Sequence, residues 1–363
     1  MKLLFFIHGL SGGGAERVMA TIMNALVEQG HRIRVVYTEG VEKPVYELNP
    51  SIEQVYMAEG IAVTTSILNK IYRHIWKYPA IRKETTLYNP DVVISFIRSL
   101  NNDVLLALLG SGYPVYVADH TNVNRKYKWR TALLGKLLYP TAKGIMVLTK
   151  RDYELWKNKY KNVYYMPNPC DFRPISNSES REKIVLAAGR VFAWQIKGFD
   201  NLIRAWYKIK PDFPDWRCQI AGAYDYRALM SLKQNVTEEE YNSVEFIGFQ
   251  SNIGEVMARS EVFCLSSRVE GMPMVLLEAL NMGCACVAYD IETGPSEMIN
   301  NGVTGLLAKD SDVDDLAEKL RLVISDDNIR EQFRNNAPRS VERYSTENVV
   351  KMWNEMLKCN QYL

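Results

Sequence analysis

The chain has 363 residues, 47% apolar and 24% charged, the proportions of a globular protein large enough for two cores. No apolar run approaches the roughly 20 residues that cross a bilayer as a helix, and six scattered cysteines suggest neither a disulfide framework nor a zinc site, so a reducing cytoplasm is expected. The net charge of +2 hides an asymmetry: residues 1–170 carry 22 Lys and Arg against 13 Asp and Glu, a net +9, whereas residues 171–363 carry 22 against 29, a net −7; one half should meet an anionic surface.

In chain order, Leu3–Ile7 reads as a first strand, because the apolar run ends at His8, too early for the core of a signal peptide. The loop Gly9-Leu-Ser-Gly-Gly-Gly-Ala-Glu-Arg17 follows, where glycines let backbone approach a ligand closely and a helix start attracts phosphate. A tight turn without a ligand is the alternative. Gly12-x-Gly14 suggests a nicotinamide enzyme with Glu39, near the end of the next strand Arg32–Thr38, as its ribose acid. Arg17 stands where that fingerprint needs its third glycine, which weakens the reading. Val18, Met19, Ile22, Met23 and Leu26 mark the inner face of the helix after the loop. Strands are expected at Asp91–Phe96, Val115–Ala118 and Gly144–Leu148, and His120 closes the second of these, where a packed histidine and a catalytic one look alike. Two segments mix cations with aromatics. The region 67–83 has Tyr72, Trp76 and Tyr78 beside Lys70, Arg73 and Lys77, and Arg125–Arg130 runs into Leu133, Leu134, Leu137 and Leu138. Either an interfacial helix on an anionic leaflet or an ordinary helix packing its leucines inward fits them; no nucleic-acid module accompanies them.

Met166–Pro174 and Ser176–Ser180 are rich in residues that interrupt regular structure and mark a hinge. A second alternation begins at Lys183: strand to Ala188, helix Phe199–Ile209, strand Arg217–Ala221, helix near Leu229, strand Val244–Ile247, helix near Val256. It continues through strand Cys284–Ala288 and helix Val313–Val323. Repeated strand–helix alternation predicts an α/β protein of two doubly wound parallel sheets, in domains 1–170 and 171–344. Gly189-Arg190 closes one strand and Lys197-Gly198 opens the next helix, two cations that can neutralise a diphosphate. Beyond the apolar run Val262–Leu265 lies the loop holding Glu270, then Pro273 just inside the first turn of a helix, then Glu278 about 7.5 Å along its axis. That spacing suits a diphosphate and a ribose; by spacing alone, two acids that merely stabilise a helix start fit equally well.

The segment from Glu270 to Glu278, with Gly271, Pro273 and Leu277 in the usual places, resembles the Glu-x7-Glu signature of the retaining glycosyltransferases of family 4, which have the GT-B fold. Gly13-Gly14-Ala-Glu-Arg17 is similar to the N-terminal loop of those members that build bacterial surface glycans. The resemblance covers nearly the whole chain, most strongly 183–310 and most weakly 40–110. It implies two Rossmann-like domains facing across a cleft, with a final helix within 345–363 packing back on the first domain. It further implies that Arg190 and Lys197 grip the donor diphosphate, Glu278 accepts from the ribose hydroxyls, and Glu270 lies by the transferred sugar. The turn Gly271, Met272, Pro273 and Met274 would hold sugar hydroxyls and phosphate, and Phe249 and Gln250 the base. Gly13 and Gly14 would border the donor phosphates, Ser11, Gly12 and Arg17 the acceptor, and His120 the donor sugar or the acceptor. This chain departs from the pattern twice: Arg190 and Lys197 stand two residues further apart than usual, and Gly222-Ala-Tyr224 replaces a glycine pair, so that Tyr224 is a candidate to stack on the base.

The expected function is therefore retaining, metal-independent transfer of a hexose or N-acetylhexosamine from a UDP-sugar to a lipid-linked glycan on polyprenyl diphosphate. No cofactor beyond the donor, no metal and no nucleic acid is expected. The expected place is the cytoplasm, peripheral on the inner face of the plasma membrane. A sugar-nucleotide epimerase of the same fold, an NAD(P)-dependent dehydrogenase and a non-catalytic interaction protein are the alternatives.

Overall fold

The structure, a computed structural model, describes residues 1–10, 13–39, 45–57, 67–120, 127–171 and 181–358, the side chains of 67–75 excepted. The chain divides into two compact units, Met1–Pro169 with Thr346–Leu363, and Cys170–Ser345.

The first unit is built on seven strands: β1 (Lys2–Ile7), β2 (Arg32–Tyr37), β3 (Glu53–Tyr56), β4 (Val92–Phe96), β5 (Val115–Asp119), β6 (Gly144–Val147) and β7 (Val163–Tyr165). All pair in parallel, in the order β3-β2-β1-β4-β5-β6-β7. Runs such as Leu3–Ile7 and Val92–Phe96 are buried throughout, the pattern of parallel strands covered on both faces. Helix α1 (Gly14–Glu28) buries Val18, Met19, Ile22, Met23 and Leu26, the stripe its spacing predicts. The Glu16 carboxylate accepts from the Gly13 amide at 3.0 Å and closes its start. Helix α2 (Ile67–Tyr88) carries Pro79 in its interior. Helix α3 (Arg98–Ala107) begins directly after β4.

Helix α4 (Trp129–Leu138) is only partly packed against the core. It buries Gly135 and Leu138 but leaves Trp129 70% and Leu137 63% exposed, with Leu133 exposed as well. Of its leucines Leu138 packs into the core, while Leu133, Leu134 and Leu137 face outward.

The second unit carries β8 (Glu182–Ala188), β9 (Arg217–Ala221), β10 (Glu245–Gly248), β11 (Ser260–Leu265), β12 (Ala285–Asp290) and β13 (Gly305–Lys309), again all parallel, ordered β10-β9-β8-β11-β12-β13. Its densest packing surrounds α5 (Phe199–Ile209), which buries Phe199, Leu202, Ile203, Trp206 and Ile209. The Trp206 indole donates to the Ser243 carbonyl at 3.0 Å, so its one polar atom is satisfied inside the core.

Helix α6 (Met274–Asn281) starts one residue later than expected. The Pro273 carbonyl accepts from the amides of Leu276 at 3.1 Å and Leu277 at 3.2 Å, while Pro273 itself has ψ 105°. Pro273 is thus the capping residue rather than the first helical one. Helix α7 (Thr346–Lys358) returns to the first unit. There Trp353 stacks on Phe5 at 6.5 Å and on Phe96 at 6.2 Å.

Candidate active site

In the second unit the candidate residues collect at the carboxyl ends of the strands, where doubly wound sheets bind ligands. Three strand ends are stitched together: the Gly189 amide donates to the Ala221 carbonyl at 2.9 Å, and the Gly222 amide to Gly248 at 2.8 Å. A Cβ on Gly222 would lie 1.8 Å from the Gly189 oxygen. Only glycine permits so close a backbone approach.

The two extra residues between Arg190 and Lys197 are absorbed by a 3-10 turn, Val191–Ala193, and a short helix, Trp194–Lys197, whose Val191 and Trp194 are buried. Gly198 follows with φ +63°, and a Cβ there would lie 1.9 Å from the Ser266 oxygen. The Ser266 hydroxyl in turn donates to the Lys197 carbonyl at 2.9 Å. Lys197 is thereby fixed against the end of β11, its stem passing over Gly189 with carbons 3.2 Å from where a Cβ would stand. Its ammonium donates to Glu270 Oε1 at 2.7 Å, both side chains being mostly buried. Lys197 thus meets the acid expected beside the sugar. Arg190 is exposed, its guanidinium 5.9 Å from the Phe192 ring.

The Glu270 loop is braced by residues that spacing alone did not single out. Arg268 donates to both Asp200 oxygens at 2.9 and 2.7 Å, to Asn201 at 2.9 Å and to the Gln195 carbonyl at 2.7 Å. Its Asp200 partner raises the guanidinium pKa against the opposing effect of burial. From the other side the Thr293 hydroxyl donates to the Glu270 carbonyl at 2.6 Å, and Gly294, φ +103°, leaves room for Pro273, whose ring would be 2.5 Å from a Cβ. An arginine two residues before the acid and an aspartate in the first turn of the facing helix were the available sequence signal.

Glu278 lies on the buried side of α6, 2% exposed among Leu276, Leu277 and Leu280. Glu278 is therefore not on a solvated helix face. Met272 is buried, and Gly271 and Met274 are partly exposed. The amides of Met274 and Val275 precede the first donors that the helix itself uses, so they are available to an anion. Phe249 is 71% exposed, and Gln250 donates to the Ile247 carbonyl at 2.6 Å. Tyr224 is exposed too, edge-on to Phe246 at 6.3 Å, rather than a buried loop tyrosine.

In the first unit Gly13 is buried, and Gly14 is exposed at the start of α1, with Arg17 partly exposed in its first turn. Ser11 and Gly12 lie outside the described residues. His120 follows β5, its ring stacked on Phe96 at 4.7 Å. Burial lowers its pKa to about 4, and a hydrogen bond with Asn168 opposes the shift. His8, at the carboxyl end of β1, was missed although the same strand-end signal marked it. Its Nδ1 lies 3.2 Å from the Thr38 hydroxyl and 3.5 Å from Glu39, and its Nε2 3.2 Å from Ser99. Glu39, proposed as a ribose acid for a nicotinamide cofactor, therefore faces a histidine. A void of about 770 Å³ opens at the opposite end of this sheet, against Met1, Asp91, Tyr113 and Lys143. It lies where the strands begin, away from the edge at which such sheets bind ligands.

Two doubly wound parallel sheets, with glycine-built turns and charged loops at their carboxyl ends, define the GT-B class. Sucrose-phosphate synthase of Thermosynechococcus elongatus is similar at a TM-score of 0.82 and 16% identity over 99% of this chain and 98% of that one. Anabaena HepE, solved with UDP and glucose, is similar at 0.79 and 17% over 99% and 100%. The glycosyl transferases group 1 model matches residues 171–340 and the glycosyltransferase family 4 model residues 12–173. The chain belongs to these glycosyltransferases. An uncharacterized glycosyltransferase of Haemophilus influenzae is 27% identical over 98% of this chain and 99% of its own length. The Campylobacter jejuni GalNAc-alpha-(1->4)-GalNAc-alpha-(1->3)-diNAcBac-PP-undecaprenol alpha-1,4-N-acetyl-D-galactosaminyltransferase is 28% identical over 98% of each.

Proposed function

We propose that the chain is a retaining, metal-independent transferase that moves a hexose or N-acetylhexosamine from a UDP-sugar to a glycan carried on polyprenyl diphosphate, at the inner face of the plasma membrane. The observation that carries this reading is the Lys197–Glu270 pair at 2.7 Å, held beside the open amides that begin α6. A donor diphosphate arriving there takes hydrogen bonds from Lys197, Arg190 and the amides of Met274 and Val275. Glu270, released from its ammonium partner, accepts from a sugar hydroxyl. As the anomeric C–O bond breaks, its electron pair stays on the departing phosphate, where fixed donors in a partly dry site stabilise the growing charge most strongly. The acceptor oxygen bonds the anomeric carbon from the same face and passes its proton to the departing phosphate oxygen. Glu278 holds the ribose and Phe249 with Gln250 the base. In the first unit Gly13, Gly14 and Arg17 border phosphate and acceptor, and His120, neutral near pH 7, offers a hydrogen bond without a charge.

The lipid-linked acceptor is supported by the Campylobacter relative, named for its action on an undecaprenol-linked glycan. The UDP donor is supported by HepE having been solved with that nucleotide. For the membrane, the support is α4, whose exposed Trp129, Leu133 and Leu137 sit beside Arg130 and Lys136, on the half of the chain with net charge +9, from 22 basic less 13 acidic residues.

The test is turnover with a panel of UDP-, GDP- and ADP-sugars and an undecaprenyl-diphosphate-linked oligosaccharide, with and without chelator. Product with the donor's anomeric configuration, formed from a UDP-sugar and unaffected by chelator, is expected. UDP released without acceptor would instead identify an epimerase or hydrolase.

A further inference from the structure

Phe96 pairs with Ala118 across β4 and β5, and the next residues of both strands form an unusual grip. Successive side chains of an extended segment point to opposite faces, whereas residues two apart share one. Asp119 and His120 therefore leave β5 on opposite sides, and a plain continuation of β4 would put residues 96 and 98 on the same side. The structure has one on each. The Phe96 ring stacks on the His120 imidazole at 4.7 Å and 23°, while Arg98 Nη1 donates to Asp119 Oδ2 at 2.7 Å. The turn between them is made by Ile97, at φ +75° and ψ 128°. A β-branched residue avoids positive φ, and such outliers persist only where their surroundings hold them, often beside functional sites.

The surroundings of Arg98 are correspondingly tight. It is 9% exposed, and its guanidinium carbon lies 4.6 Å from the Tyr139 ring centre and 5.2 Å from that of Trp156. A Cβ on Gly135 of α4 would stand 3.0 Å from Nη2. The Tyr139 hydroxyl donates to Asp119 Oδ2 at 3.3 Å, and Asn101 donates to the Ala118 carbonyl at 3.0 Å. Arg98 Nε has no hydrogen-bond partner among the described residues. A buried pair with an unsatisfied donor is a poor way to gain stability and a good way to specify one geometry.

We infer that Arg98, Asp119 and the strained Ile97 form a clamp that sets the His120 imidazole for glycosyl transfer, with Arg98 and Asp119 as positioning residues. This rests on the reading that His120 contacts the reacting sugar or the acceptor. The test uses the full chain with ¹⁵N-labelled histidine, whose four residues make the His120 ring signals assignable through His120→Gln. Arg98→Lys and Asp119→Asn are expected to keep the fold by circular dichroism and leave the donor KM within about twofold. They should lower kcat by about 100-fold, the scale of an ångström's misplacement, and move the His120 ring signals while those of His8 stay. Wild-type kcat and unmoved His120 signals in both variants would overturn the clamp. Failure of both to fold would equally overturn it, because the pair would then be a folding element. Undiminished turnover in His120→Gln would instead remove the role of His120, and the ring signals would still decide whether the clamp holds it.

Discussion

Glu278 is a carboxylate taken out of water on a helix otherwise lined with leucines, and a ligand hydroxyl is one partner such an acid can take. If the partner in the complex is the donor ribose, Glu278→Ala should weaken UDP-sugar binding by roughly 10- to 100-fold, from about 1.5–3 kcal/mol per charge-assisted hydrogen bond. Calorimetric titration with unchanged affinity would remove the ribose assignment. His120 makes a prediction about pH. Its folded pKa of about 4 lies below the ordinary 6.5, so between the two the unfolded chain binds a proton that the folded one does not. The stabilisation is present in full above pH 6.5 and lost as pH falls toward 4, by up to about 3 kcal/mol at 1.36 kcal/mol per pH unit. Urea melts of wild type and His120→Gln across that range should converge on the acid side; parallel curves would contradict the shift. The acids and cations at strand ends were legible in the sequence because loop chemistry is local. The pairing of Lys197 with Glu270, 73 positions apart, was not, and neither was the Arg268 brace, which depends on Asp200 facing that loop from α5.

At the scale of elements, the β-α alternation was readable because most of the parallel strands contain a short apolar run, such as Leu3–Ile7 or Ile184–Ala188. What escaped was whatever breaks that rule. β3 (Glu-Gln-Val-Tyr) is an edge strand with two exposed residues, β7 has only three residues, and β13 begins at a glycine. Helix α2 covers the 67–83 region read as helical and runs on to Tyr88 with Pro79 in its interior, where proline ordinarily ends a helix. The two additional residues after Arg190 looked like a flaw in a cation pair, yet the segment that holds them, Val191–Lys197, forms a turn and a short helix that return Lys197 to the end of β8. That return depends on Gly198. Gly198→Ala places a methyl on the Ser266 carbonyl and forces a left-handed alanine, which alone costs about 1–2 kcal/mol. It should lower stability in urea melts by more than that and abolish donor-induced stabilisation, whereas Gly248→Ala, with open space around its Cβ, should lose only the conformational share. Equal effects of the two substitutions would contradict the close approach.

For the molecule as a whole, ligand linkage gives the broadest check. A donor at 100 times its dissociation constant stabilises the fold by about 2.7 kcal/mol, and a thermal-shift screen should find this with UDP-sugars and not with NAD(P)H. The uneven charge makes a second prediction: Lys128, Arg130 and Lys136 changed together to Glu should abolish sedimentation with anionic vesicles, each cation near the surface contributing about 1 kcal/mol. Retained binding would point away from α4. Among the described residues no helix is long and apolar enough to cross a membrane.

Helix α7 lays Trp353 on Phe5 and Phe96, and this couples the two ends of the sequence in time as well as in space. A ribosome adding about 5–20 residues per second releases Phe5 roughly 20 s or more before Trp353 can cover it. Residues 170–345, being continuous, can close first. The newborn amino-terminal half therefore waits with aromatic surface bare, and shortening the chain before residue 346 would make that wait permanent.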